Sequence, residues 1–253
     1  MQSGGVSMAE GKPGAIVLCG GRSRRMGWPK TQLPFGRETL LERVTRQISA
    51  LATPIVLVAA RGKQDQYGGE GTSGCRVVHD LHPDRGPLEG LYAGLAALQQ
   101  EAAIAYVSSC DAPFVVPAVV QRLTQLLADH EIVVASDGDR CYPMPGVYRT
   151  SLALRAHALL AEGKRRLQDL LERSDTRRVD RKDLQALDPG GRSFWNVNTP
   201  PDYEHALREA GLPLDSQMAA RLRLGSARDG LSRGESRAVE LNDPESPGFL
   251  PHS

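Results

Sequence analysis

The feature that most limits the fold is a regular alternation of short apolar runs with longer amphipathic stretches. The first run, AIVLC (15–19), is continuous and leads into two glycines, which is typical of a strand buried on both faces of a parallel sheet. ETLLERVTRQISAL (38–51) instead repeats apolar residues at the spacing of one helix face. This alternation predicts an α/β fold: a Rossmann-like, doubly wound, mostly parallel sheet with helices on both faces. The predicted strands are 15–19, 54–60, 75–80, 103–111 and 131–136, and the predicted helices are 38–51, 88–100, 117–130, 151–163, 164–174 and 201–211.

The predicted elements occupy one central region, 14–213, with a polar segment at each end. Residues 1–13 are rich in Gly and Ser and predict a flexible N-terminal tail. The segment 214–253 has few large apolar side chains to offset its ordering entropy, so we expect a largely disordered C-terminal tail with a short helix over 215–224. Truncation after Leu212 should then leave function intact.

Composition restricts the partners of the chain. Lys and Arg total 31 against 30 Asp and Glu, a net charge of +1, so nothing global directs the protein to nucleic acid or to an anionic membrane. The four cysteines include no CxxC pair and are expected to be reduced thiols rather than zinc ligands or disulfides. The N-terminus lacks an apolar stretch of signal-peptide length, and no later run approaches the ~20 residues of a membrane span. We therefore expect a cytoplasmic protein.

The loop after the first strand is the strongest candidate for a binding site. In LCGGRSRRMGWPK (18–30) a buried strand runs into Gly20 and Gly21, whose N–H groups can approach phosphate oxygens closely. The basic residues that follow, Arg25 and Lys30 among them, can add charge-assisted contacts. The loop matches neither a P-loop nor GxGxxG, which disfavours the nucleotide sites built on those motifs. The alternative is a tight glycine turn flanked by solvated arginines.

Two predicted strands end in a carboxylate. Asp80 closes CRVVHD and Asp111 closes AIAYVSSCD, and ligands of such sheets bind at the carboxyl ends of the strands. One or two carboxylates, together with substrate phosphates, are enough to hold Mg²⁺. A basic glycine loop beside them suits transfer at phosphorus, which needs positioning and charge neutralisation. The alternative for each residue is a turn or a helix cap; we favour the metal role for Asp111, and for Asp80 both interpretations stay open.

Two proline- and glycine-rich segments carry weaker signals. In GPLEGLYAGL (86–95), Gly86 and Gly90 allow close approach of either a ligand or a neighbouring strand. YPMPGVYR (142–149) predicts a connector into a strand.

A pair of asparagines distinguishes FWNVNTPPDYEHA (194–206). Asn196 and Asn198 are two residues apart and point to the same side of an extended segment. They either reach a ligand or brace the backbone, and Thr199 or Asp202 can then cap the last helix.

Together these segments resemble the molybdenum cofactor guanylyltransferase family, the molybdopterin-guanine dinucleotide synthases of the MobA type. The matching segments follow the family's order over about residues 15–210: LCGGRSRRMGWPK, CRVVHDLHPDRGPLEGLYAGL, YVSSCDAPFVVPAVV, CYPMPGVYR, GKRRLQDLL and FWNVNTPPDY. No single segment is decisive, whereas all six in register are highly specific for this wider group of nucleotidyltransferases. The resemblance implies a nucleotide-diphospho-sugar transferase-like fold and the reaction of GTP with molybdenum-molybdopterin to give the guanine dinucleotide cofactor and pyrophosphate.

The resemblance also implies roles for individual residues. Lys30 would bind the phosphates of GTP, and Asp111 would hold Mg²⁺ and bind nucleotide. Lys30, Asp111 and Arg25 form the implied catalytic set. The remaining implied contacts to the nucleotide or the pterin are made by Leu18, Cys19, Gly20, Gly21, Asp80, Asn196 and Asn198. The implied partners are GTP, molybdenum-molybdopterin and proteins that deliver or accept the cofactor.

Three positions depart from the family pattern. Cys19 stands where the family usually has Ala, Pro29 stands where Asp commonly precedes the lysine, and Val58 stands where the second strand often ends in a nucleotide-contacting Asn. The alternatives are a sister transferase that uses CTP, a sugar-phosphate nucleotidyltransferase and a non-catalytic nucleotide-binding module. The paired glycines after Cys19 favour GTP, the FWNVNTPPDY segment fits sugar-phosphate transferases poorly, and intact Lys30 and Asp111 argue against a non-catalytic module.

Overall fold

The computed structural model describes residues 12–20, 26, 28–60, 67, 72–80, 86–215, 218 and 222. These residues form nine strands: β1 Gly14–Leu18, β2 Pro34–Phe35, β3 Glu38–Thr39, β4 Ile55–Ala59, β5 Arg76–His79, β6 Ile104–Ser109, β7 Ile132–Asp137, β8 Arg140–Arg149 and β9 Thr176–Asp180. They also form six α-helices: α1 Leu40–Ser49, α2 Pro87–Leu98, α3 Pro117–Leu127, α4 Ala153–Ala161, α5 Leu167–Glu172 and α6 Pro200–Glu209.

Seven of these strands make one sheet in the order β5-β4-β1-β6-β8-β7-β9. β5, β4, β1 and β6 are parallel, and β7 is parallel to β9. β8 runs antiparallel between β6 and β7. The chain proceeds from β1 to β4 and β5 on one side and later to β6 on the other, so the strand order reverses between β1 and β6. A crevice at such a reversal is where ligands bind in open α/β sheets.

Helices cover both faces of the sheet because the strand residues alternate between two apolar clusters. Ala15 and Val17 pack with α1 and α3 on one face. Ile16 and Leu18 pack with α2, α4 and α5 on the other. β1 is buried over its whole length, as its continuous apolar run requires.

A third apolar cluster lies beside the carboxyl end of the sheet. Phe114 makes edge-on contacts with Phe35, at a centroid distance of 6.4 Å, and with Trp195, at 5.9 Å. The same cluster contains Tyr203 of α6, and Met218 and Leu222 beyond it. This packing ties the segment after β6 to the last described helix.

The predicted fold class is confirmed, and each predicted strand and helix is present with ends shifted by a few residues. The predicted connector at 142–149 is instead part of β8. Gly146 opposes Val134 whereas Tyr142 opposes Ala135, so residues 143–145 bulge out of the ladder. A bulge accommodates Pro143 and Pro145, which cannot donate a ladder hydrogen bond.

β9 was not predicted, because TRRVD carries a single large apolar side chain and lies at the edge of the sheet. The predicted tails, 1–13 and 214–253, lie almost entirely outside the described residues and stay predictions, as does most of the helix predicted over 215–224. None of the described helices has the length and apolar character needed to cross a bilayer.

Candidate functional site

The ends of β1 and β6 form the base of the candidate site. Leu18 lies opposite Ser109, the last residue of β6. The Cys110 N–H donates to the Leu18 carbonyl at 3.1 Å, and the Cys19 N–H donates to the Val58 carbonyl at 2.8 Å. Both bonds extend the sheet by one residue past the strands, which fixes the backbone at the point where the chain turns away.

The backbone around Asp111 is held on two sides. The Ala112 N–H donates to the Ser109 carbonyl at 3.2 Å and closes a tight turn around Asp111. The Val197 N–H donates to the Asp111 carbonyl at 2.8 Å, which joins this turn to a segment that is distant in sequence. The backbone from which the Asp111 side chain projects is therefore fixed.

Lys30 and Asp111 meet at the centre of the site. The Lys30 Nζ donates to Asp111 Oδ2 at 2.6 Å and to Asn198 Oδ1 at 2.7 Å. The side chains of Lys30 and Asp111 are only 18% and 15% exposed, so both charges are partly withdrawn from solvent. A charge-assisted bond in such surroundings is stronger than at an open surface.

Asp111 has a further partner, Ser109, on its other oxygen. The Ser109 hydroxyl donates to Asp111 Oδ1 at 2.6 Å. Ser109 was not among the site residues predicted from the sequence. A hydroxyl two residues before a strand-end carboxylate was the signal available for finding it.

Helix α6 positions Asn198. Thr199 is the N-cap of α6 and forms a capping box with Asp202. Asp202 Oδ2 accepts from the N–H of Asn198 at 3.0 Å and from that of Thr199 at 2.8 Å. Thr199 and Asp202 thus both cap the helix, and the capping carboxylate also fixes the backbone of the asparagine that bonds Lys30.

The two asparagines alternate with a buried residue along their extended segment. Asn196 and Asn198 are exposed, while Val197 between them is buried in the third apolar cluster. Asn198 is the one that bonds Lys30. Asn196 lies at the rim, two residues away along an extended segment.

Lys30 is presented by a short rigid segment. It begins a single turn of 3₁₀ helix, Lys30–Gln32, in which the Gln32 N–H donates to the Pro29 carbonyl at 3.0 Å. Pro29 precedes this turn with an extended backbone, where proline is well tolerated. Thr31 is buried and anchors the turn. The departure at Pro29 is therefore compatible with an ordered lysine.

The glycines of the two candidate loops differ in what surrounds them. A Cβ on Gly20 would meet nothing within 4 Å, so packing does not explain that glycine. A Cβ on Gly86 would lie 2.6 Å from the Arg165 carbonyl oxygen, and φ there is +81°. A Cβ on Gly90 would lie 3.4 Å from Leu18 Cδ2. For Gly86 the close neighbour is protein backbone, which favours the packing alternative, whereas a methyl group fits at Gly90, so both alternatives stay open there.

Asp80 lies apart from the Lys30 cluster. It follows β5, which is three strands from β6, and strands lie about 4.8 Å apart, so the two positions are separated by about 14 Å across the sheet. The Asp80 N–H donates to the Ala59 carbonyl at 3.1 Å. Gly21 and Arg25, the other predicted site residues of the first loop, lie outside the described residues.

The thiol of Cys19, next to the site, is held in its neutral form. Burial raises the pKa of the Cys19 thiol well above its usual range, and a hydrogen bond with the Cys110 side chain raises it further. All four cysteines are free thiols. Cys19 therefore contributes a small neutral side chain below the site, and Val58 beside it is buried against α2.

Within the described part of the chain, no group of three or more His, Cys, Asp or Glu side chains converges as a metal cage would require. The oxygen donors at the centre of the site are the Asp111 carboxylate, the Ser109 hydroxyl and the Asn198 amide. This set suits a hard cation that takes most of its ligands from water and from substrate phosphates.

Comparison with known proteins places the chain among nucleotidyltransferases of one family. Residues 15–179 match the family model described as the MobA-like NTP transferase domain. A probable molybdenum cofactor guanylyltransferase of Mycolicibacterium paratuberculosis is 36% identical over 200 residues, which cover 77% of this chain and 94% of that protein. The molybdenum cofactor guanylyltransferase of Serratia proteamaculans is 33% identical over 204 residues, with coverage of 78% and 95%.

A solved structure extends the comparison to three dimensions. The molybdopterin-guanine dinucleotide biosynthesis protein A of Archaeoglobus fulgidus aligns with a TM-score of 0.66 at 27% identity, over 78% of this chain and 98% of that one.

Proposed function

The chain belongs to the MobA-like NTP transferase family and is a nucleotidyltransferase, and from this we propose that it transfers GMP from GTP to molybdenum-molybdopterin. The products are the molybdopterin guanine dinucleotide cofactor and pyrophosphate. The observation that carries the proposal is the Lys30–Asp111–Asn198 cluster. It lies at the strand-order reversal, which is where open α/β sheets bind their ligands.

The donor set fits a divalent metal such as Mg²⁺. Asp111 supplies one carboxylate at the carboxyl edge of the sheet, and Mg²⁺ is commonly held by one or two carboxylates plus substrate phosphates. Asp111 would hold the ion. When bound, Mg²⁺ neutralises phosphate charge and helps to orient the triphosphate.

The protein's own groups then act by binding and orientation. The Gly20 backbone, with Gly21 and Arg25 after it, receives the phosphates from the side of the first loop, and the space above Gly20 supports this assignment. The Lys30 ammonium compensates the negative charge that shifts from the α-phosphorus towards the leaving pyrophosphate. The acceptor's phosphate oxygen attacks the α-phosphorus in line, so no residue of the chain has to form a covalent bond.

The remaining predicted contacts lie on either side of this centre. We assign Asp80, together with the backbone of Leu18 and Cys19, to the nucleotide side. We assign Asn196 and Asn198 to the acceptor side, because both are exposed on one extended segment and Asn198 bonds Lys30. The Cys19 N–H already donates to the Val58 carbonyl. The nucleotide would therefore be contacted by the Gly20 backbone and by the carbonyl groups of Leu18 and Cys19.

We also propose that the reaction runs in the cytoplasm. Its further partners are proteins that deliver molybdopterin or accept the finished cofactor. This part of the proposal follows the family to which the chain belongs.

The test is a product assay with three nucleotides in parallel. The protein is incubated with Mg²⁺ and molybdenum-molybdopterin and with GTP, CTP or ATP, and the dinucleotide is identified by mass while pyrophosphate is measured. Product with GTP alone is the expected result. Product with CTP alone would replace guanine by cytosine in the proposal.

The matched variants are Asp111→Asn and Asp129→Asn. Asp111→Asn keeps the side-chain shape but removes the charge, and we expect turnover to fall by at least about 10²-fold. Asp129→Asn makes the same change in the exposed loop after α3 and should leave turnover unchanged. Equal turnover in the two variants would contradict the role of Asp111.

A further inference from the structure

We propose that Ser109 is a positioning residue for Asp111: its hydroxyl holds one carboxylate oxygen so that the other faces the cation in the site. The proposal rests on the proposed function, because it concerns the carboxylate assigned to the metal. Ser109 itself is not expected to touch the nucleotide or the acceptor.

The geometry divides the two oxygens of Asp111 between two partners. Ser109 Oγ donates to Oδ1 at 2.6 Å, and Lys30 Nζ donates to Oδ2 at 2.6 Å. Both distances are short, as expected for hydrogen bonds in which the acceptor or both groups are charged. A rotation of the carboxylate about its own axis would therefore break both bonds together.

The turn around Asp111 allows the Ser109 hydroxyl to fix the orientation of the carboxylate. The backbone is already fixed by the Ala112–Ser109 hydrogen bond and by the Val197–Asp111 hydrogen bond. The orientation of the side chain is what remains to be set, and Ser109 sets it from within the same turn. A ligand held in one orientation loses less entropy when it binds its cation.

The position of Ser109 in β6 supports a role of this kind. Ala105 and Val107, which precede it on the same face of the strand, are fully buried in the apolar cluster under α2. Ser109 continues that face at the carboxyl edge, where it is half-buried. On this face of β6, the apolar side chains thus give way to the Ser109 hydroxyl at the position next to Asp111.

The experiment measures metal binding directly as well as turnover. Mn²⁺ is titrated into the full-length protein with a non-hydrolysable GTP analogue, for the unmodified chain and for Ser109→Ala, Ser109→Thr and Ser108→Ala. Ser108→Ala is the matched control, since Ser108 is a buried serine of the same strand and its side chain lies on the opposite face of β6. Thermal unfolding of each variant establishes that it is folded.

We expect Ser109→Ala to weaken Mn²⁺ binding by about tenfold, the lower end of the range for partners of metal ligands. Ser109→Thr keeps the hydroxyl and should restore most of the affinity. The turnover of Ser109→Ala should be low at limiting Mg²⁺ and recover at excess Mg²⁺. A purely structural role would not give this dependence on metal concentration.

Two outcomes separate this proposal from the proposed function. If the unmodified protein makes no dinucleotide but Ser109→Ala still weakens Mn²⁺ binding, the positioning role stands and the assigned reaction fails. If the unmodified protein makes the dinucleotide and Ser109→Ala binds Mn²⁺ as tightly as Ser108→Ala, the positioning role is overturned.

Discussion

Lys30 and Asp111 form an ion pair with each other, so a ligand charge that binds either of them competes with this pair. The Lys30 ammonium lies 2.6 Å from Asp111 Oδ2, and its second acceptor is Asn198. A cation that binds this oxygen must displace the ammonium, and a phosphate that binds Lys30 must draw it away from the carboxylate. Under the proposed function, metal binding and nucleotide binding would therefore be linked through this one ion pair.

The first prediction follows from that competition. Lys30→Met removes the competing charge, so Mn²⁺ should bind more tightly in the absence of nucleotide, by about fivefold if the pair contributes ~1 kcal/mol. The same variant should lose about 10²-fold or more in turnover. Lys182→Met, at an exposed position, is the control. Weaker Mn²⁺ binding by Lys30→Met would mean that the lysine supports the metal site rather than competing with it.

A second prediction concerns Gly20. A methyl group there has no neighbour within 4 Å, so Gly20→Ala should keep or slightly raise stability, by up to about 1 kcal/mol. If a phosphate lies against this backbone, the methyl displaces it and GTP affinity should fall about tenfold, the loss expected for one hydrogen bond to a charged group. Isothermal titration and thermal unfolding measure the two effects. Unchanged GTP affinity would separate Gly20 from the nucleotide.

The secondary-structure elements that were predicted from the sequence are those with a regular spacing of apolar residues. Continuous apolar runs became β1, β4 and β6, and helical spacing became α1, α2 and α3. The full extent of β8 was not predicted, because its prolines lie in a bulge, and the edge strand β9 was not predicted, because it has too few apolar residues to show a pattern. Neither feature follows from local preference alone.

A third prediction compares two glycines of α2. A Cβ on Gly94 would lie 2.6 Å from Ile16 Cγ2, whereas on Gly90 it would make ordinary contacts at 3.4 Å and 3.5 Å. Gly94→Ala should therefore destabilise the protein by about 1–3 kcal/mol through overpacking against β1. Gly90→Ala should be neutral or stabilising by up to about 1 kcal/mol, since alanine is the better helix former.

Denaturant unfolding of the two variants measures this difference. Equal stability would show that α2 can shift on the sheet more freely than the packing indicates. A loss of GTP affinity in Gly90→Ala without a loss of stability would show that Gly90 allows the close approach of a ligand rather than of a neighbouring strand.

At the scale of the molecule, the sequence indicated separate site residues but not how they meet. Lys30, Asp111 and Asn198 were each selected from their own motif, and the structure brings them into contact through the third apolar cluster. Ser109 was missed because its relevance depends on the turn that places its hydroxyl against Asp111. The cluster that joins these segments has no local signature, since its members are scattered along the chain.

A fourth prediction concerns the end of the chain. Met218 and Leu222 are 7% and 2% exposed in the third cluster, so truncation after Leu212 removes two buried side chains. This replaces the expectation that such a truncation is harmless. We expect a loss of about 3 kcal/mol in the free energy of unfolding, at ~1.5 kcal/mol or more for each side chain.

Truncation after Leu224 keeps both side chains and is the control. Equilibrium unfolding of the two shortened chains measures the difference. Identical stability would show that the contacts of Met218 and Leu222 contribute nothing to the fold.

The link between Lys30 and Asn198 spans 168 positions, and it has a consequence for the order in which the enzyme is made. During translation the first loop is complete long before the segment that supplies Asn198 and helix α6. A nascent chain therefore cannot assemble the full cluster around Lys30 until most of its length has been synthesised. On the proposed assignment of Asn198 to the acceptor side, a nascent chain without this segment would lack an acceptor contact and one hydrogen-bond partner of Lys30.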